Sequence, residues 1–309
     1  MGRILTWGAK FLEAEQIWPL RWSQKQRLEF IEFRLQWEGR VNRSDLINFF
    51  DISVPQASLD LAKYRELAPN NAVYDATEKT YIAGGSFAPV LVSNSAETYL
   101  NQILAAESGH LGANPTFLGS RPATGIVQAP SRTLDPVVLR VTLQAIREHR
   151  TVEITYQSMS KTDPAQRKIT PHALGFDGFR WHARAFCHQH QDYRDFVLAR
   201  VLAIRAEEIS DIDPAADEDW NHYVEAIIVP GAGLSDSQRK MIELDYGMKD
   251  GRFVLRVREA LLFYYLRQLG LLYGPGDCVP TEQTELANRK ELEPFFKKHG
   301  IEAGKQGSL

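Results

Sequence analysis

The chain has 309 residues, 44% of them hydrophobic and 24% charged, with 36 Lys and Arg against 39 Asp and Glu. That length suffices for two or three domains. No apolar run reaches the roughly 18 residues of a membrane span, no secretory leader opens the chain, and no Walker-type loop, Gly-x-Ser-x-Gly or paired-carboxylate motif marks an enzyme. The two cysteines, Cys187 and Cys278, are too far apart in sequence to imply a disulfide framework and fit a reducing, cytoplasmic setting. Met1-Gly2 with Thr6 matches the loose myristoylation pattern, which is permissive enough to arise by chance.

Residues 1–20, with Ile4, Leu5, Phe11, Leu12, Ile17 and Trp18, read as a short helical extension. Ser23 is placed to cap a helix through Trp37, whose apolar positions Leu28, Phe30, Ile31, Phe33, Leu35 and Trp37 are dense enough to predict burial, and Gly39 ends it. A second short helix over 42–50 takes Ser44 as its cap. A tight turn with Ile52 and Val54 inward leads to a third helix from Pro55 to about Arg65, Pro suiting a first helical turn. Leu59, Leu61 and Ala62 are expected to face the second helix, leaving Ser53, Gln56, Ala57, Ser58, Asp60, Lys63 and Tyr64 towards solvent. Short polar residues at the start of such a helix suit base edges and phosphates in a major groove. Val73–Asp75 and Thr80–Ile82 then form a hairpin across a polar turn, with Lys79 and Thr80 near its tip. Helix, helix, turn, helix, hairpin is a winged helix-turn-helix. Residues 1–83 carry 11 basic and 11 acidic side chains, so DNA binding requires Arg40, Arg43, Lys63 and Lys79 to cluster, or a dimer. The predicted DNA-binding set is Arg43, Ser44, Ser53, Gln56, Ala57, Ser58, Asp60, Lys63, Tyr64 and Lys79.

Residues 84–135 are glycine- and proline-rich and read as a connector with one helix over Ser95–Ser108, its apolar positions being Tyr99, Leu100, Ile103 and Leu104. Asp135 caps a helix from Pro136 to His149, packing through Val138, Leu139, Val141, Leu143 and Ile146. Strands follow at 151–156, 169–174, on either side of Gly178, and across 194–204. In the strand after Gly178, Phe179, Trp181, Ala183 and Ala185 alternate with Arg180, His182, Arg184 and Phe186, which puts an apolar row on one face and a cationic row on the other. Over 194–204 the period predicts one face for Arg194, Phe196, Leu198 and Arg200. Residues 137–206 hold 11 basic and 6 acidic side chains, residues 207–309 hold 12 and 19, and a basic middle beside an acidic end points to local anion binding. His182, His188 and His190 beside Cys187 lack a second cysteine and matched zinc spacing, so they read as a polar hairpin tip; no metal or cofactor is expected.

Thr155-Tyr156, Ile169-Thr-Pro-His172, Trp181-His182-Ala183 and Arg194-x-Phe-x-Leu-x-Arg200 resemble WYL domains in order and spacing, with His182 where the family carries tyrosine and Ala183 where it carries leucine. The resemblance implies an Sm-like β-barrel. It also implies a pocket for a nucleotide or short nucleic acid, lined here by Tyr156, Ser158, His172, Trp181, His182, Arg184, Arg194, Phe196 and Arg200. Arginine forks onto phosphate and aromatic faces stack on bases. Replacing Arg184 or Arg200 by Ala is expected to spare folding and abolish the response to the signal.

After an acidic stretch, strands at 224–229 and 252–257 alternate with helices at 235–243, 261–270 and 288–299, similar to the C-terminal extension of many WYL proteins. The apolar helix starting at Leu261 is expected to serve dimerisation, with plain core as the competing use. The whole is an α+β multidomain chain: winged helix-turn-helix 1–83, linker 84–135, WYL domain 136–208, C-terminal α+β domain 209–309. It resembles the WYL regulators encoded beside bacterial anti-phage systems such as BREX and CBASS. That implies a homodimeric, cytoplasmic, non-enzymatic repressor of a double-stranded DNA operator, with no membrane attachment. A nucleic-acid-processing enzyme and a protein-binding adaptor are the alternatives.

Overall fold

A computed structural model describes residues 22–91, 95–108, 116–127, 133–159, 161–272 and 283–301. The expected N-terminal extension, the myristoylation pattern and Cys278 lie outside them. The chain divides into two compact units, Met1–Gln128 and Ala129–Leu309.

In the first unit, α1 (Trp22–Glu38) buries Leu28, Phe30, Ile31, Phe33 and Leu35, as their density predicts. Gly39, at φ 73°, donates its N–H to the carbonyl of Leu35 and ends the helix in a conformation that suits glycine. After β1 (Arg40–Val41), helix α2 (Arg43–Phe50) begins with a capping box. The cap is Asn42, not Ser44: Asn42 Oδ1 accepts the Asp45 N–H at 3.0 Å, and the Ser44 hydroxyl only supports Asn42. Asp51, left-handed at φ 51°, turns the chain into α3 (Val54–Leu67), capped by Ser53. The strands β2 (Ala72–Asp75) and β3 (Thr80–Ala83) complete a three-stranded antiparallel sheet in the order β1-β3-β2.

The connector is less detached than its composition implies. Its helix α4 (Ala96–Glu107), capped by Ser95, stacks Tyr99 on Trp37 and on Phe33, with ring centroids 4.9 and 5.9 Å apart. Ile103 and Leu118 are buried against Phe33, whereas Leu100 and Leu104 face solvent.

The second unit starts with α5 (Pro136–Glu148), capped by Asp135. It packs Val138 and Ala145 onto a five-stranded antiparallel sheet made of β4 (Arg150–Tyr156), β5 (Ala165–Phe176), β6 (Trp181–Cys187), β7 (Asp192–Val197) and β8 (Val201–Ile209), in the order β7-β6-β5-β4-β8. The single strand expected over 194–204 is instead two, broken by a 3₁₀ turn at Leu198–Arg200 that carries the chain from one edge of the sheet to the other. Beyond a short helix α6 (Glu218–Asn221) come β9 (Tyr223–Pro230), α7 (Asp236–Asp245), β10 (Phe253–Arg258), α8 (Glu259–Gln268), β11 (Thr284–Leu286) and α9 (Glu293–Lys298). The last three strands form a sheet in the order β10-β9-β11. In α8, Leu262 and Leu266 enter the core of this sheet, Tyr264 faces the WYL-like sheet, and Phe263 stacks on His299. Leu262 and Leu266 are thus core, while Leu261, Phe263, Tyr264 and Tyr265 stay partly exposed.

Candidate nucleic-acid interface and anion site

Burial fixes the rotation of α3. Ala57, Asp60, Leu61 and Tyr64 face inward, with Ala57, Asp60 and Tyr64 fully buried. Three predicted DNA contacts are corrected here. Ala57 is core. Asp60 accepts Arg27 Nε at 2.6 Å and Gln56 Nε2 at 3.1 Å, pinning α3 to α1. The Tyr64 hydroxyl lies 3.2 Å from Glu32 and accepts Asn71 Nδ2 at 3.1 Å. Burial, then the neighbouring Glu32 charge, pushes the Tyr64 phenol far above its ordinary range.

Glu32 is itself fully buried and accepts the N–H groups of Val90 and Leu91, both at 2.8 Å. One carboxylate thus joins α1, α3 and the chain leaving the wing. A buried charge needs such partners, and nothing local in the sequence singles out Glu32 among the helix's glutamates.

On the outer side, Val54 is 55% and Leu59 64% exposed, reversing the expected inward placement of both. Arg43 is exposed at the first position of α2. Lys79 is exposed in the β2–β3 turn at φ 53°. That turn is shaped by Asp75 Oδ1, which accepts the Thr77 and Glu78 N–H groups at 2.8 and 3.1 Å. Thr80, expected at the tip, is buried and bonded to the Val41 carbonyl. Lys63 reaches Glu66 at 3.1 Å in a surface pair, a weak restraint.

The cationic row of the sheet has a different fate. Arg184 pairs in register with Asp195 and Ala185 with Arg194, so Arg184 and Arg194 project from opposite faces. One pocket cannot hold both, which corrects the predicted lining. On the Arg184 face, the guanidinium forks onto Asp217 at 2.7 and 2.9 Å and reaches Asp195 at 3.3 Å. His172, at a β-bulge of β5, bonds the same Asp217 at 2.9 Å. His182 Nε2 lies 3.0 Å from Asp177, which also accepts the Phe179 and Arg180 N–H groups; His182 Nδ1 is buried without a partner among the described residues. Tyr264 donates to Asp195 at 2.9 Å. His172, His182 and Arg184 are thus closed in by internal carboxylates, not presented to an anion. Burial pushes Asp217 and Asp177 up. Arg184 and His172 around the first, and His182, Arg180 and backbone N–H groups around the second, more than offset this and hold both well below the usual carboxylate range.

The opposite face keeps some of the predicted residues open. Trp181 is half exposed, its ring 4.9 Å from that of Phe176, and Phe179 is exposed beside them. Arg194 is half exposed, 3.8 Å from Asp192. Phe196 is buried, with Tyr156 against it edge to face at 5.3 Å, and the Tyr156 hydroxyl accepts the Val197 N–H. Ser158 is half-buried in the loop after β4. Arg200 sits in the 3₁₀ turn, and its carbonyl accepts the Gln157 N–H.

A winged helix followed by a helix-topped antiparallel sheet and a small α+β tail defines a multidomain regulator of the WYL class. Family models match in the same order: the BrxR transcriptional regulator winged helix-turn-helix domain over 23–105, the WYL domain over 137–206, and the BrxR transcriptional regulator C-terminal dimerization domain over 223–292. Relatives named DNA-binding transcriptional repressor CapW include proteins of Stenotrophomonas maltophilia (42% identical, 90% of this chain and 94% of that one), Escherichia coli strain KTE188 (42%, 90% and 93%) and Pseudomonas aeruginosa (41%, 90% and 93%). The chain belongs to the CapW family.

Proposed function

We propose that this chain is a homodimeric transcriptional repressor whose winged helix grips a two-fold, double-stranded DNA operator. The observation that carries the reading is the single body formed by α2, α3 and the β2–β3 wing, which leaves Arg43, Lys79 and the outer side of α3 open. A second helix of this kind enters a major groove while flanking cations meet phosphates. The CapW name of its relatives supports the repressor role, and the match to a C-terminal dimerization model supports the dimer. Met241 and Leu244, 61% and 81% exposed on α7, offer apolar surface for that contact.

The finer parts of the reading are control of a phage-defence operon and sensing of a nucleotide or short nucleic acid by the WYL domain. Trp181 with Phe176, at one end of the face that α5 covers over Ala183 and Ala185, is left for a base, and Arg194, towards its other end, for a phosphate. The closed Arg184–Asp217 network on the other face would pass a change in the sheet to the C-terminal segment. A tenfold loss of operator affinity on ligand binding needs about 1.4 kcal/mol of coupling. A genomic footprint of the purified full chain, followed by mobility shifts with nucleotides and short single strands added, tests both levels. Protected two-fold sites upstream of defence genes are expected, released by the signal. Absence of any protected site would defeat the reading as a whole.

A further inference from the structure

The polar side chains at the start of α3 are committed to the helix itself. Ser53 Oγ caps it, accepting the Gln56 N–H at 3.4 Å. Ser58 Oγ donates back to the Val54 carbonyl at 3.0 Å. Gln56 Nε2 donates to the buried Asp60. What the first half of α3 projects outward is instead apolar: Val54, Leu59 and, three residues beyond Leu59, Ala62, with the charged Lys63, Arg65 and Glu66 following in the last turns. Leu59 shares its stripe with Pro55 and Ala62, at helical spacings of four and three, near the middle of the outer face. A lone exposed leucine is ordinary on a protein surface. Here it sits on the second helix of a helix-turn-helix whose body also exposes the cations Arg43, at the start of α2, and Lys79, in the wing turn.

The edge of a base pair in the major groove offers one apolar group, the 5-methyl of thymine. Resting on the DNA-binding reading above, we propose that Leu59, assisted by Val54, selects the operator by packing on thymine methyls, so that each half-site carries thymine opposite the centre of α3. Leu59 is the specificity-determining residue, and the serines and Gln56 hold the helix that presents it.

The test uses the full-length chain. Its operator is first selected from a random duplex pool. Each thymine is then replaced singly by deoxyuridine, which removes the methyl and leaves every hydrogen-bonding group. One or two replacements per half-site should weaken wild-type binding about fourfold each, the effect of withdrawing one methyl-sized group from contact. Leu59→Ala, a surface change that should leave the melting curve intact, should bind the thymine and deoxyuridine operators alike. If no deoxyuridine replacement weakens binding, or if Leu59→Ala retains the full penalty, the methyl readout is wrong while the DNA-binding reading stands. If no duplex is enriched at all, both fail together.

Discussion

Two clusters in this molecule carry the residues of a binding surface, the start of α3 and the Arg184 face of the central sheet, and they end in opposite states. On α3 the polar groups are tied inward by short-range bonds within the helix and the apolar groups are left facing out. On the sheet the cations are drawn into a layer of carboxylates, Asp177, Asp195 and Asp217, brought from three separate stretches of chain. The first cluster is built from local bonds and stays open to a partner. The second is built from non-local ion pairs and holds the chain to itself. A side chain's chemistry therefore announces a binding surface only when its hydrogen-bonding capacity is not already met within the fold.

The sharpest way to break this contrast is Arg184→Ala. If Arg184 lined an open pocket, as its sequence pattern implies, the variant would fold normally. With the guanidinium gone, buried Asp217 keeps only His172 and the Trp220 N–H, and leaving one member of a buried pair without its counter-charge costs about 3–5 kcal/mol. Denaturant melts should show a loss of that size, and Arg184→Lys should recover little because an ammonium cannot fork. An unchanged midpoint would reopen the pocket.

Acid approaches the same network from the other side. Asp217 and Asp177 are held below the ordinary carboxylate value in the folded chain. Their contribution is therefore fully present above about pH 4, where the unfolded carboxylates are also ionised. Below that the unfolded chain takes up protons first, and stability is lost as the pH falls towards the folded values. Unfolding free energy followed from pH 6 downward should drop more steeply in the wild type than in Asp217→Asn; equal slopes would mean the network contributes nothing.

Much of this was legible in the chain. The helix, helix, turn, helix, hairpin order needs only local signals: the Pro55 start, the Gly39 stop, and the polar turn between the short runs of β2 and β3. The Trp181–Cys187 strand is visible from its period of two. What escaped was rotation and partnership. Val54 and Leu59 look like core by type, but the turn of α3 is set by Asp60 reaching Arg27, 33 residues away. Asp217 lies 33 residues beyond Arg184, in a stretch that reads as an acidic linker. The basic middle and acidic end were visible as opposite charges; their meaning is that one neutralises the other.

Tyr64→Phe sharpens the contrast from the α3 side at smaller cost. It removes one partner of the buried Glu32 while Val90 and Leu91 still donate to that carboxylate. A lost bond to a buried charged group costs about 1.5–3 kcal/mol, so melts should shift by less than for Arg184→Ala. Operator affinity should fall only as far as the folded fraction does, since Tyr64 does not face DNA. A fall in affinity at full folding would return Tyr64 to the interface.

The smallest expected effect is on Lys79→Ala, and it isolates the open cluster. Lys79 is exposed at the wing, and its left-handed turn conformation disfavours alanine slightly, so the melting curve should move little. If its ammonium neutralises one phosphate, the variant should bind every duplex more weakly without changing sequence preference. The slope of log affinity against log salt should shrink by about one per protomer. Arg184, on the closed face of the sheet, should give no such signature, because its charge is met internally before any DNA arrives. Salt slopes for Lys79→Ala that match the wild type would remove the wing from the interface and leave α3 to hold the duplex without it.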